Sequence, residues 1–407
     1  MSSNAPSSAE RPLKGLAIEE ARARMLARVP APAVEVVPLA MADGRTLAED
    51  IVAVRDQPPF EASAMDGWAV RAADAGTLAE LRIVGESAAG RGHARPLGPG
   101  EAVRIFTGAP VPEGADLVVI QEEAERAGEV VRLTAKSPRG ANIRPRGGDF
   151  RAGATLLGTG LRLDPWRLSL AAAAGRAEVR VARRPRVALL ATGEELAAPG
   201  DEAGPFQIYE SGGAGLVPMI RRWGGDAQRL TPAGDDIDAI EDAVKGVAAD
   251  LIVTVGGASV GDYDLVKPAL TQLGLELDVG SVAIRPGKPT WFGRLGDGRL
   301  VLGLPGNPAS AFVCAELFLH PLVLALQGAD PRPAVDRLRL AAPLAANGPR
   351  EHWMRARTTA DGVLAFADQD SSLVTVFAAA DCLLRRPPNA PPAAAGDPVE
   401  IIRLARA

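Results

Sequence analysis

The 407-residue chain is too long for one ordinary core, so two to four domains are expected. Its formal charge of −5 provides no general basic field for nucleic acid, and with two cysteines a disulfide framework and a four-cysteine zinc site are excluded, as in a protein of the reducing cytoplasm. The three histidines lack zinc-ligand spacing and are expected to be ordinary surface or packing residues.

The first 80 residues predict a small mixed domain behind a polar tail. Residues 1–12 contain no apolar core, which favours a disordered tail over a signal peptide. An amphipathic helix is expected over Leu13–Val29 and a strand over Val34–Leu39. The pair Asp66 and Gly67 predicts a turn, since Asp accepts local hydrogen bonds and Gly takes positive φ. On spacing alone, Asp66 is a turn former.

Short β-rich segments separated by Gly and Pro follow, which suggests a β module inserted at 81–140. Thr107 lies in one of its loops, where capping the turn is a commoner role than binding phosphate. A glycine-containing loop then carries Arg144, Arg146 and Arg151. These arginines form either an anion-binding loop or a solvated charge run.

From Arg186 the chain alternates strands and helices, which predicts a parallel sheet with crossover helices. The apolar stretch 309–326 contains Glu316, His320 and Pro321, so a membrane span is not expected. After Gln327 the period changes to two, and strands are expected at residues 338–340, 363–366, 373–377 and 399–404. The expected domains are therefore a tail (1–12), an N-terminal domain (13–80 and 141–182), an inserted β-rich domain (81–140), an α/β domain (183–328) and a C-terminal β domain (329–407).

Polar groups follow several strands of the predicted sheet, and the carboxyl end of such a sheet is where ligands bind. Clustered carboxylates favour Mg²⁺, which in turn favours a phosphate-bearing ligand, and nearby cations and a helix N-terminus capped by Asn307 complement an anion. The groups concerned are Glu194 and Glu195, Asp235 and Asp236, Gly256 and Gly257 with Ser259, Asp262 and Asp264, Arg285 and Lys288, and Asn307 before Pro308.

Seven motifs in order make the chain resemble the MoeA family of molybdopterin molybdenumtransferases, whose eukaryotic counterpart is the gephyrin E domain. They are SAMDGWAV, TGAPVPEGAD, RPRGGDFRAG, ATGEEL, GGASVGDYDLVK, RPGKP and LPGNPASA. The resemblance implies an α/β multidomain fold: a central parallel-sheet molybdopterin-binding domain, N-terminal mixed α+β and inserted β modules, and a C-terminal β-barrel-like domain.

The resemblance also implies the reaction and the partners. Adenylyl-molybdopterin and molybdate are the substrates, AMP is released with the help of Mg²⁺, and molybdenum remains on the dithiolene. The active site of the implied cytoplasmic homodimer lies between the sheet domain of one subunit and the N-terminal domains of the other. A molybdopterin adenylyltransferase and molybdoenzyme maturation proteins are possible partners, whereas nucleic acid and membrane are not expected.

Motif by motif, the resemblance assigns roles to individual residues and overrides the simple turn role of Asp66. The implied catalytic residues are Asp66, Glu195, Asp235 and Asp264, of which the last three also bind metal. The implied substrate-binding residues are Thr107, Gly256, Gly257, Ser259, Arg285, Lys288, Pro305 and Asn307.

Three positions depart from the family pattern: Gly212 replaces an Asn, Ser281 often a Lys, and Trp68 a Tyr. The first two changes remove a polar or charged ligand contact. Alternatives are therefore a divergent paralogue that binds molybdopterin or a nucleotide, another enzyme on the same sheet domain (an adenylyltransferase or a nucleotide pyrophosphatase), and a scaffold. The β modules on both sides of the sheet domain argue against the second alternative.

Overall fold

The computed structural model describes residues 14–135, 137–234, 236–256 and 265–404. The predicted tail at 1–12 lies outside this range. The elements up to residue 182 are α1 Ile18–Leu26, β1 Val34–Pro38, β2 Ile51–Val52, β3 Ala62–Ser63, β4 Gly67–Val70, β5 Glu80–Ser87, β6 Glu101–Ile105, β7 Leu117–Ile120, β8 Ala124–Ala127, β9 Val130–Leu133, β10 Ile143–Arg144, β11 Thr155–Leu157, α2 Pro165–Ala173 and β12 Glu178–Ala182.

Two-stranded pairs connect the two sequence segments of the N-terminal region. Strands β1 and β12, β2 and β11, and β3 and β10 pair antiparallel. Helix α2 begins at Pro165, where proline suits the first turn, and the side chain of Asp164 caps it by accepting a hydrogen bond from the Arg167 N–H. A separate six-stranded sheet has the order β7-β4-β6-β5-β9-β8. Strand β4 belongs to this sheet although it precedes residue 81, where the insert was expected to begin.

The middle of the chain forms a six-stranded sheet of order β16-β13-β17-β21-β20-β18, in which the first four strands are parallel and β20 runs antiparallel to both of its neighbours, β21 and β18. Its elements and their neighbours are β13 Arg186–Ala191, β14 Leu196–Ala197, β15 Ile208–Tyr209, α3 Gly212–Arg222, β16 Asp226–Arg229, α4 Ile237–Lys245, β17 Leu251–Val255, α5 Val266–Gln272, β18 Glu276–Val279, β19 Ile284–Arg285, β20 Trp291–Arg294, β21 Leu300–Leu304, α6 Pro308–Cys314, a π-helical segment Ala315–Leu319 and α7 His320–Ala325.

Alternate residues of the central strands enter two different cores, as the period-two geometry of a strand requires. Leu189 and Val253 lie in the core that includes helices α3, α6 and α7, and Ile18 of α1 joins them. Leu190 and Ile252 face helices α4 and α5 on the other side. Helix α1 therefore completes the central layer, although it lies in the segment expected to form the N-terminal domain.

One helical stretch among the described residues, Pro308–Ala325, is long and apolar enough to cross a membrane. However, 78% of it is buried inside the protein. This burial is that of a core helix, since the stretch contributes most of its side chains to the layer between the central sheet and the C-terminal region.

The C-terminal elements are β22 Asp336–Arg339, β23 Glu351–Thr359, β24 Gly362–Ala365, α8 Val374–Ala379, β25 Cys382–Arg386 and β26 Pro398–Arg403. The strand order is β19-β23-β25-β26-β22, with β24 on β23. A bridge between Leu340 and Val363 joins the end of β22 to β24, which makes the sheet barrel-like as expected.

The strand expected at residues 373–377 is wrong, because Val374–Ala379 forms helix α8. The ring of Phe377 packs against Phe312 of α6 with a centroid distance of 5.2 Å. The apolar side chains that resembled a strand are therefore used to dock a short helix on the central layer.

Candidate functional site

A cleft of about 760 Å³ lies between the carboxyl end of the central sheet and the C-terminal barrel. Four residues that the sequence predicted to bind substrate line it: Lys288, Pro305 and Asn307 on the wall of the central domain, and Arg285 on β19, which pairs with barrel strand β23. The barrel contributes the other wall, which includes Asn347, Arg350, His352, Asp368, Asp370, Ser371 and Arg386.

The RPGKP loop carries Arg285 and Lys288 into the cleft, and a buried cluster beneath it holds its shape. Gly287 has φ +109, and a Cβ at this position would lie 2.1 Å from Sγ of Cys314. The hydroxyl of Thr290 donates to the Gly287 carbonyl at 2.8 Å and lies 3.1 Å from the same sulfur. Burial raises the pKa of Cys314 to about 12, so this thiol is a packing group.

Asn307 connects the two walls. Its Nδ2 donates to Oγ of Ser371 at 2.9 Å, and the Ala309 N–H donates to the Ser371 carbonyl at 3.0 Å. The expectation that the Asn307 side chain caps helix α6 is wrong, because that side chain makes no capping bond. The barrel also occupies one backbone donor at this helix end, the N–H of Ala309.

The carboxyl ends of β13, β17 and β21 meet at one edge, as the parallel order requires. The Thr192 N–H donates to the Val255 carbonyl at 3.1 Å, and the Gly256 N–H donates to the Leu304 carbonyl at 3.3 Å. Gly256 therefore lies beside the strand that leads into Pro305. Asp236, by contrast, is used as the N-cap of helix α4, where it accepts from the Ala239 N–H.

Glu195 lies in the exposed loop after β13, and its carboxylate has no hydrogen bond or ion pair to another described residue. Glu195 and Gly256 do not line the cleft itself. The described part of the chain contains no group of three His, Cys, Asp or Glu residues arranged for a metal ion. The remaining sequence-predicted site residues, Asp235, Gly257, Ser259, Asp262 and Asp264, lie outside the described residues.

Asp66 and Thr107 form a separate polar corner in the β-rich region. Oδ1 of Asp66 accepts from the Thr107 N–H at 2.7 Å and from its hydroxyl at 2.8 Å. These bonds, the backbone one first, lower the pKa of Asp66 below its usual value. Neither residue lines the cleft of its own chain. Gly67 does not have the positive φ that was expected; it is required because a Cβ would collide with the backbone of β7.

The contribution of the barrel to the cleft was not predicted from the sequence. Beneath the cleft-lining residue Asp370, Arg355 is fully buried: its Nη2 donates to the Asp370 carbonyl at 2.8 Å, while Nε and Nη1 have no partner among the described residues. Burial lowers its pKa. His352 was expected to be an ordinary surface or packing residue but lines the cleft. Two alternate residues of strand β23, His352 and Met354, line the cleft, and this period of two was the signal in the sequence. The charged residues between and after them made the strand hard to recognise.

Ser281 and Gly212, where the chain departs from the family pattern at ligand contacts, have structural roles in this protein. The hydroxyl of Ser281 accepts from the Gly15 N–H at 2.8 Å, so this residue anchors the segment before helix α1. Gly212 is the first residue of helix α3, and the buried carboxylate of Glu210 stabilises this N-terminus. Oε1 of Glu210 accepts from the Gly213 N–H at 2.6 Å, and Oε2 pairs with Arg229 at 2.5 Å.

Three family models match successive parts of the chain. They are described as the MoeA N-terminal region (domain I and II) at residues 16–175, a probable molybdopterin binding domain at residues 188–325, and the MoeA C-terminal region (domain IV) at residues 337–404. Together they cover most of the sequence in the order that the motifs indicated.

Among curated relatives, molybdopterin molybdenumtransferase 2 of Mycobacterium tuberculosis is 37% identical over 90% of this chain and 94% of its own length. The molybdopterin molybdenumtransferase of Haemophilus influenzae is 36% identical over 77% of this chain and 78% of its own length. Among solved structures, a molybdopterin biosynthesis MoeA protein of Pyrococcus horikoshii matches with a TM-score of 0.82 and 31% identity, over 96% of this chain and 99% of that one.

Proposed function

The chain belongs to the MoeA family, and from this premise we propose that it transfers molybdenum from molybdate to adenylyl-molybdopterin with release of AMP. It acts as a molybdopterin molybdenumtransferase in molybdenum cofactor biosynthesis. The observation that carries the proposal for this chain's own residues is the cationic cleft between the central sheet and the barrel.

The cleft has the charge that a tetrahedral dianion requires. Arg285, Lys288, Arg350 and Arg386 line it, against the two carboxylates of Asp368 and Asp370. Arginine and lysine bind oxyanions through charge-assisted hydrogen bonds, which strengthen where water is excluded. We assign molybdate to this cleft.

The buried guanidinium of Arg355 also supports the assignment of molybdate to this cleft. A buried guanidinium without a paired carboxylate is costly, and its two unsatisfied donors require a partner. The loop of Gln369 and Asp370 holds the group in place, since the Arg355 N–H donates to Oε1 of Gln369 at 3.0 Å. We infer that the bound oxyanion offsets the charge of Arg355.

The carboxylates at the sheet edge serve the adenylate. We propose that Glu195, with Asp235 and Asp264, holds Mg²⁺, since Glu195 presents an uncommitted carboxylate beside the strand ends. The ion, when bound, neutralises phosphate charge. We propose that Gly256, Gly257 and Ser259 bind the molybdopterin at the carboxyl end of the sheet. Positioning and charge neutralisation suffice for displacement at phosphorus, so no covalent nucleophile is needed.

We further propose that the enzyme is a cytoplasmic homodimer and that Asp66 and Thr107 complete the site of the other subunit. Both lie away from the cleft of their own chain, and Asp66 is held ionised by Thr107. Exposed apolar side chains are available for association in the N-terminal region, including Val36 and Trp166, which are 55% and 83% exposed. An adenylyltransferase that supplies adenylyl-molybdopterin is the expected partner.

Molybdate binding to Lys288→Met tests the assignment. Loss of one charge-assisted contact of about 1.5–3 kcal/mol should weaken binding by about 10- to 150-fold. Lys245→Met is the matched control, because Lys245 pairs with Glu241 on helix α4 and does not line the cleft. Equilibrium dialysis with molybdenum detection measures both variants. Equal affinity of Lys288→Met and wild type would refute the placement of molybdate.

A further inference from the structure

Three cleft residues form one row across the barrel sheet. His352 on β23 is in register with Arg285 on β19 and with Arg386 on β25. Directly opposed residues on neighbouring strands project from the same face, with Cβ atoms about 4.5–5.5 Å apart. All three line the cleft, so an imidazole stands between two guanidiniums.

The neighbours of His352 on its own strand confirm which face the row occupies. Glu351 and Trp353 point the other way, where Nε1 of Trp353 and Nε of Arg385 both donate to Oε1 of Glu351. No carboxylate of strand β23 therefore offsets the charge beside the imidazole. His352 is 6% exposed, and its Nε2 is buried without a hydrogen-bond partner among the described residues. A buried polar atom of this kind normally has a partner.

The other charged groups that face His352 leave the row electropositive. Arg350 and Lys288 line the same cleft, and Arg355, which projects from the other face of β23, acts on the imidazole through its positive charge. The acidic groups at this cleft, Asp368 and Asp370, are fewer than its cations, and their known bonds are local: Oδ1 of Asp368 accepts from the Asp370 N–H at 2.9 Å, and Oδ1 of Asp370 accepts from the N–H and hydroxyl of Ser372.

On the basis of the oxyanion site proposed above, we propose that His352 takes up one proton from solvent when a tetrahedral dianion such as molybdate enters the cleft. The anion is then held by an imidazolium between two guanidiniums, and it leaves together with that proton. Binding of the dianion is consequently stronger at lower pH.

The low pKa of His352 in the free protein is the basis of this coupling. Burial, followed by the positive charges of Arg285, Arg355, Arg350 and Arg386, lowers the pKa of His352 to about 4, so the imidazole is neutral at pH 7. A bound dianion opposes those charges and raises this pKa. Affinity therefore increases as pH falls through the raised pKa and becomes constant below about pH 4, with a limit of about tenfold per pH unit for one proton.

Isothermal titration of the full-length protein with sulfate tests the coupling, because sulfate remains a dianion throughout the pH range in which histidines ordinarily titrate. Titrations in two buffers with different ionisation enthalpies count the protons taken up, and molybdate at neutral pH is the second probe. The variant is His352→Gln. His320→Gln is the matched control, since His320 stacks on Trp223 and does not line the cleft.

We expect wild type and His320→Gln to take up a fraction of a proton that increases as pH falls, and His352→Gln to take up none and to bind with a pH-independent affinity. Histidine NMR of the wild type gives a second readout that needs no variant, because the chain has only three histidines. One of them should titrate at higher pH with sulfate bound. Sulfate binding without proton uptake, or the same pH slope in His352→Gln, would overturn the coupling alone. Failure of both anions to bind wild type would overturn the oxyanion site itself.

Discussion

Replacing Gly287 with alanine should disturb the loop that presents Lys288. The new Cβ would meet Sγ of Cys314 at 2.1 Å, and the backbone would keep a φ of +109 that alanine rarely adopts. Overpacking costs about 1–3 kcal/mol and the backbone strain about 1–3 kcal/mol, so Gly287→Ala should lose about 2–6 kcal/mol of stability. Since the same loop carries Lys288, the affinity for molybdate should fall as well.

Cys314→Ala separates the two costs. Removing the sulfur clears the space for the new methyl group but leaves the backbone strain, so the double variant should recover about 1–3 kcal/mol relative to the sum of the single changes. Urea midpoints of the wild type, both single variants and the double variant give this coupling, and molybdate dialysis on the same four proteins follows the loop. Additive stabilities would show that the sulfur does not define the loop, and the reasoning would be refuted.

Three further changes test the site and, in the last case, the β-rich sheet. Arg355→Met should raise stability by about 1–3 kcal/mol, because a buried cation with unsatisfied donors is replaced by an apolar side chain. The same change should weaken molybdate binding at least about tenfold. Calorimetry measures both quantities, and a lower stability would contradict the reasoning. A doubly tagged heterodimer of Asp66→Asn and Lys288→Met should retain about half of the wild-type activity, because one of its two sites is intact, whereas no activity would contradict a site shared between subunits. Glu101→Gln should lower the urea midpoint at pH 7. Hydrogen bonding from Arg95 lowers the pKa of Glu101 from 4.5 to about 2, so this difference should be complete above pH 4.5 and vanish as pH falls through about 2; a difference that is constant with pH would contradict it.

The fold class was implied by the family that the seven ordered motifs resemble. Three of these motifs, ATGEEL, GGASVGDYDLVK and LPGNPASA, begin at the carboxyl ends of β13, β17 and β21 of the central sheet. Strands buried on both faces, such as Leu251–Val255, are recognisable as unbroken apolar runs. The barrel was harder to predict. Strand β23 carries Glu351, Arg355 and Arg357 on the face opposite His352 and Met354, so its apolar alternation is lost. Helix α8 is too short for its period to be distinguished from that of a strand.

The site was predicted where its residues lie in motifs of the central domain. Arg285, Lys288, Pro305 and Asn307 line one cleft, and their role in substrate binding stays a prediction. His352 could not be assigned in this way. It enters the cleft because the short strand β19 pairs with β23, a contact between residues 67 positions apart that no local pattern indicates.

The most direct test of the account is molybdenum transfer from molybdate to adenylyl-molybdopterin, with AMP and molybdenum-loaded product measured in the same reaction. Wild type and Lys245→Met should produce both in equal amounts, and Lys288→Met should lose both together at low molybdate concentration. Full transfer by Lys288→Met under those conditions would contradict the claim that the cleft between the sheet and the barrel holds molybdate.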